Sequence, residues 1–137
     1  MSTMKRACAG VLMAVLVCAA LTAASANAAL PRGTFEGPID QPGYDYSAII
    51  TLQAGKLVKG VQAGTSSYPG LGCSGSLQFR KKAKRGKYKF VEQITSDPEQ
   101  TCVDVTNITL RRTTAGGLTY KATWSGGRAT GTLVKTG

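Results

Sequence analysis

The sequence predicts an all-β domain: an antiparallel meander of about eight strands forming a small closed or nearly closed barrel, with a two-sheet sandwich as the alternative. Three observations carry this expectation. Glycine, 17 of 137 residues, punctuates short runs rich in Thr, Val, Ile, Leu and aromatic residues, as turns punctuate successive strands. Within the runs, apolar and polar residues alternate, which is the pattern of a strand with one buried face. No stretch holds a helical period through three turns.

The first 28 residues belong to a different class of segment. Lys5 and Arg6 precede an uncharged Ala-, Val- and Leu-rich run over 7–24, and Ala26-Asn27-Ala28 places small residues at the positions a signal peptidase reads. This is the layout of a secretory signal peptide over 1–28, cleaved before Ala29. A retained membrane anchor is the alternative, since an apolar run of ~18 residues approaches the thickness of a bilayer. Lipoprotein processing is not expected, because Val17 precedes Cys18 where a small residue is needed. Cleavage would leave no membrane span, remove Cys8 and Cys18, and lower the net charge from +10 to +8. The remainder divides into a partly loose lead-in over 29–45, containing Pro31, Pro38 and Pro42, and a single domain over 46–137.

Strands are expected at 33–39, 46–53, 57–64, 74–82, 87–95, 102–112, 118–125 and 128–135. The connectors carry turn chemistry, notably Ala54-Gly55, Ala83-Lys84-Arg85-Gly86, Thr114-Ala115-Gly116-Gly117 and Gly126-Gly127. Leu77 and Phe79 share one parity with Tyr88, Phe90 and Ile94 across the hairpin, with Phe79 facing Phe90, Lys82 facing Lys87 and Arg80 facing Lys89. Leu118, Tyr120, Ala122 and Trp124 make a second inward stripe. In the sixth run the apolar parity slips from Val103 and Val105 to Ile108 and Leu110, which a bulge near Thr106-Asn107 would absorb.

Cys73 and Cys102 are the only cysteines beyond the leader. An even pair in an exported chain reads as one disulfide. Closing a loop of about 30 residues contributes ~3–4 kcal/mol in the chain-entropy picture. No metal site or cofactor is expected, because two sulfurs without clustered acids or any histidine cannot complete a zinc shell.

The absence of His removes the commonest general base and every imidazole-dependent triad. The stretch Tyr68-Pro69-Gly70-Leu71-Gly72-Cys73-Ser74-Gly75 is neither a phosphate loop nor a nucleophile elbow, and reads as a tight corner stapled by the cystine. Asn107-Ile108-Thr109 matches a glycosylation sequon, meaningful only in a eukaryotic secretory pathway. No catalytic residue is assigned. Two clusters are candidates for binding. Arg80, Lys81, Lys82, Lys84, Arg85, Lys87 and Lys89 place seven cations within ten residues, and of these Arg80, Lys82, Lys84, Arg85, Lys87 and Lys89 are the anion-binding candidates. The competing reading is a solvated hairpin tip that discourages edge-to-edge association. Glu92 has inward parity opposite Leu77, so its carboxylate needs a partner such as Lys81, Arg111 or a backbone amide. With Tyr120 and Trp124 it forms the candidate ligand pocket.

The order Y-P-x-L-G-C-x-G-x-L over 68–77, F-x-E-x-I over 90–94, Cys102, L-x-Y-x-x-x-W over 118–124 and A-T-G-T-L over 129–133 resembles a group of small exported single-disulfide β-domains of actinobacteria. The resemblance spans about 46–135 and implies fold and compartment. It carries no established activity and no catalytic residue. The basic hairpin is where this chain departs from it.

The expected function is therefore a secreted, non-enzymatic binding or inhibitor-like module, recognising a protein or an anionic surface polymer through loops and the basic hairpin. Sequence-specific nucleic-acid recognition is not expected, because Tyr88 and Phe90 point inward. The alternatives are a carrier for a small apolar ligand in the barrel interior and a carboxylate-dependent hydrolase, for which only Asp97, Glu99 and Asp104 lie close to Glu92 in sequence.

Overall fold

The computed structural model describes residues 30–137. The expected leader over 1–28 lies outside the described residues. Eight strands follow one another: β1 (Gly33–Gln41), β2 (Tyr44–Leu52), β3 (Gln62–Tyr68), β4 (Cys73–Ala83), β5 (Lys87–Ser96), β6 (Val105–Arg112), β7 (Leu118–Trp124) and β8 (Gly127–Lys135). Each pairs antiparallel with its chain neighbour, and β1 pairs with β8, giving one closed up-and-down barrel. The sandwich alternative is thereby set aside. Among the described residues no helix is long and apolar enough to cross a membrane.

Closure needs a tight seam. A Cβ on Gly37 would collide with the Thr132 carbonyl oxygen, and one on Gly131 would sit 2.7 Å from the Pro38 oxygen. The β1–β8 ladder is interrupted between Glu36 and Ile39, where Pro38 has no N–H to offer. Removing side chains from this seam lets the two outermost strands of the chain meet and leaves no exposed sheet edge.

The core follows from alternation. Phe35, Ile50, Leu77, Phe90, Ile108, Leu110, Leu118 and Leu133 are fully buried and fill the barrel. Burying one such side chain stabilises by roughly 1.5–3 kcal/mol. Phe79 packs edge-on against Phe90 at 5.7 Å between ring centres, and the two are cross-strand partners as expected.

Four local expectations change. The partly loose lead-in over 29–45 is more ordered than expected: the strand expected at 33–39 is present as β1 and runs on to Gln41, and β2 starts already at Tyr44, because Phe35 and Ile39 alternate into the core despite the prolines. The third strand begins at Gln62 rather than near residue 57. Leu57 packs onto the core from a loop, and Gly60, with φ of 81°, turns the chain before the strand starts. The sixth strand begins at Val105 without a bulge: Thr106, Ile108 and Leu110 share the inward face, while Val103 and Val105 stay exposed. A bulge occurs instead in β4 between Phe79 and Lys81. It shifts the basic register to Lys81–Lys89, Lys82–Tyr88 and Ala83–Lys87. One like-charge pair thus replaces the two expected, which spares some of the cross-strand repulsion.

Candidate functional site

An up-and-down barrel sends its loops alternately to two ends, and here the ends differ in chemistry. One end collects the β1–β2, β3–β4, β5–β6 and β7–β8 connections; the other collects the β2–β3, β4–β5 and β6–β7 connections with Leu30–Arg32 and the C-terminus. Of the described Lys and Arg residues, only Lys121 and Arg128 lie outside the second, basic end. Of the 7 Asp and Glu residues, all but Glu36 lie toward the first end. The charge is segregated along the barrel axis.

At the basic end, β4 and β5 extend to a one-turn 3-10 tip at Lys84–Gly86. All six anion-binding candidates, Arg80, Lys82, Lys84, Arg85, Lys87 and Lys89, are exposed there. Arg85 holds a left-handed conformation, φ 63° and ψ 34°, which costs a non-glycine residue ~1–2 kcal/mol. Lys82 leans inward, its Nζ 5.5 Å from the centre of the Tyr88 ring. Beside it opens a bowl of about 710 Å³ floored by Leu52, Phe79 and Tyr88 and rimmed by Arg32, Lys56, Lys82, Arg112 and Lys135, with no carboxylate on its wall. Four of these rim cations come from strands and loops far from the hairpin in sequence, so no local charge run announces them.

The first end holds a smaller cavity of about 150 Å³. The three pocket candidates Glu92, Tyr120 and Trp124 all line it, together with Tyr44, Tyr46, Tyr68, Thr106 and Ala122. The basic hairpin and the pocket are therefore at opposite ends of the barrel.

Glu92 is 3% exposed. Its partner is a tyrosine, not the cation or backbone amide expected: Tyr68 Oη donates to Glu92 Oε2 at 2.5 Å. The Tyr68 and Tyr120 hydroxyls lie 2.8 Å apart, and the rings of Tyr46, Tyr68 and Tyr120 meet edge to face at 6.0 and 6.5 Å. Burial pushes the Glu92 carboxyl above its ordinary range, while the neighbouring hydroxyls of Ser66 and Tyr68 pull it partly back. Ser66 Oγ is buried near this carboxylate and completes no hydrogen bond of full geometry. Burial, reinforced by Glu92, raises the Tyr46 phenol to about 12. Tyr68 and Tyr120 are also raised, burial again being the main cause. All three hydroxyls stay un-ionised donors at neutral pH.

The rim of this end is braced by the disulfide. Cys73, at the start of β4, is joined to Cys102 in the β5–β6 loop with the Cα atoms 6.5 Å apart. Asp97 shapes that loop by accepting from the Cys102 and Thr101 amides at 3.0 Å each, and Thr101 Oγ1 donates to the Leu71 carbonyl at 2.8 Å. The bond from the Cys102 amide, helped by those from Thr101, holds the Asp97 carboxyl below its ordinary range against the opposing effect of desolvation.

Alternation predicted the inward parity of Glu92, Tyr120 and Trp124, but Tyr46 and Tyr68 were missed as cavity residues. Tyr46 shares its face with Ala48, Ile50 and Leu52, a period-2 signal that could have found it. Tyr68 was read only as part of a corner. Among the described residues no group of His, Cys, Asp and Glu is arranged to hold a metal ion.

Fold and site together define a disulfide-braced, eight-stranded up-and-down barrel, polarised in charge, with a tyrosine-lined carboxylate cavity at its acidic end. No protein-family model matches the chain, and the searches of curated proteins and of solved structures return no match.

Proposed function

We propose that this chain is an exported, non-enzymatic binding module whose basic barrel end engages an anionic surface polymer. The observation that carries the reading is the charge segregation: cations from the hairpin, from the segment before β1, from the β2–β3 loop and from the ends of β6 and β8 encircle one mouth, while Glu36 is the sole carboxylate on that half. A strand of nine residues spans ~30 Å, and barrel tilt shortens the distance between ends to about 20–25 Å. That exceeds the Debye length of ~8 Å at physiological ionic strength, so the acidic end does not cancel the potential at the basic mouth.

Arg85 supports a functional reading of the hairpin. A residue with a costly backbone conformation persists where its side chain is useful, and glycine would occupy the position without strain. Export is inferred from the signal-peptide layout over 1–28, and the disulfide favours an oxidising compartment. The resemblance to exported actinobacterial β-domains points the same way.

Two considerations weigh against the alternatives. The barrel interior is packed, and a cavity of about 150 Å³ is below the ~300–1,000 Å³ of ordinary ligand pockets, which disfavours a carrier of apolar molecules. Glu92 is the one carboxylate lining that cavity, whereas glycoside hydrolysis uses a pair.

The test is a salt-graded pull-down with the oxidised protein, offering anionic wall polymer, duplex DNA and an acidic protein. Retention on the polymer that falls steeply with salt supports the proposal. Salt-insensitive retention, or retention on the acidic protein alone, overturns it in favour of a protein-docking module.

A further inference from the structure

The acidic-end cavity is composed unlike the rest of the barrel. Its one carboxylate, Glu92, lies among Tyr46, Tyr68, Tyr120 and Trp124, while Tyr44, 55% exposed, stands at the mouth. No Lys or Arg lines it. The loops and strand ends around it carry Asp40, Asp45, Asp97 and Asp104. An anionic ligand would meet Glu92 with no counter-charge. A neutral apolar ligand would leave the buried carboxyl of Glu92 with nothing to gain. A small organic cation meets neither objection. The negative faces of aromatic rings replace the hydration of an alkylammonium head, at ~0.5–2 kcal/mol per ring, and the carboxylate neutralises it. The volume, about 150 Å³, suits a head the size of trimethylammonium. The basic end lies beyond screening distance and does not oppose entry.

We propose that this cavity binds a small organic cation of the alkylammonium class, held by Glu92 and by the rings of Tyr46, Tyr68, Tyr120 and Trp124. The site is independent of the basic mouth, so either assignment can fail without the other.

Trp124 is the single tryptophan of the chain and reports directly on the cavity. The experiment titrates the oxidised protein with choline and with 3,3-dimethylbutan-1-ol, which has the same shape without the charge, following Trp124 fluorescence. The expected result is a saturable response to choline and binding of the alcohol at least about tenfold weaker, a difference of ~1.4 kcal/mol. Glu92→Gln, nearly isosteric, is expected to lose choline binding by a similar factor while keeping the far-UV circular dichroism of the parent. Equal binding of choline and the alcohol, or no response to either, overturns the proposal without reference to any variant. Retained choline binding in a folded Glu92→Gln protein overturns it as well. As a further arm, Nα-acetyl-lysine amide distinguishes a free cation from a lysine side chain as the source of the ammonium: binding there supports the class and extends it to peptides.

Discussion

Tyr68 and Glu92 stand on β3 and β5, strands that do not pair with each other, and their side chains meet across β4 with the phenol donating to Oε2 at 2.5 Å. This bond ties the acidic-end cavity to the closed state of the barrel. Tyr68→Phe removes the donor while keeping the ring. It is expected to cost ~1–3 kcal/mol, the usual penalty for leaving a buried polar group short of a partner. The cost falls at low pH, where Glu92 is protonated and needs the donor less. Denaturant unfolding of both proteins at neutral and acidic pH measures this; the same loss at both would mean the phenol serves only Tyr120.

Glu92 and Asp97 give stability opposite dependences on pH. Burial raises the folded-state pKa of Glu92, so the folded chain holds its proton longer than the unfolded chain does. Stability then declines as pH rises from the ordinary Glu range through the raised folded value. Glu92→Gln is expected to remove that decline and raise Tm by several degrees at neutral pH, with little change near the acidic end. Asp97 is held below its ordinary range; its contribution is present above the unfolded pKa and is lost as pH falls through the lowered folded value. Asp97→Asn therefore steepens no neutral-pH slope but flattens the acid limb. Melting curves across the acid to neutral range decide both.

Reduction opens a loop closed by residues 29 apart. The chain-entropy relation expects a loss of ~3–4 kcal/mol. The mature protein should contain no free thiol, and Cys73→Ser/Cys102→Ser should match the reduced protein in unfolding midpoint. A titratable thiol in the exported chain would falsify the staple. Intact mass of the exported form should correspond to a chain beginning at Ala29; recovery of all 137 residues from membranes would reverse the reading of 1–28.

Arg85 separates stability from binding. Arg85→Gly relieves a left-handed backbone and is expected to be neutral or stabilising by up to about 1 kcal/mol, while weakening polymer retention through loss of a tip charge. A variant that loses stability would show that the arginine serves the fold, and one that gains stability with binding unchanged would show that it does not serve binding.

The barrel was legible because strand alternation and turn residues are local signals. Phe79 against Phe90, Leu77 against Glu92 and the inward stripe of Leu118, Tyr120 and Ala122 all follow from parity and loop length. The β4 bulge was not legible, since a single inserted residue among Arg80, Lys81 and Lys82 leaves no mark in so uniform a run. Proline spacing misdirected the reading of 29–45: Pro38 does break a ladder, but only on the side facing β8. The cation-rimmed bowl assembles Arg32, Lys56, Arg112 and Lys135 through barrel closure, and closure is a long-range property that no local window contains. The tyrosine partner of Glu92 was hidden for the same reason.

The most direct test of the polarised barrel is the salt dependence of its affinity for polyphosphate. The parent is compared with Lys82→Gln/Lys84→Gln/Arg85→Gln/Lys87→Gln and with a control carrying Lys121→Gln/Arg128→Gln. Released counterions give log K a slope against log salt that scales with the number of cations engaged. The account predicts a steep slope for the parent, the same slope for the control, and a loss of both affinity and slope in the hairpin variant. The same loss per charge removed in the two variants would mean that net charge alone governs binding, and would contradict a recognition surface at the basic end.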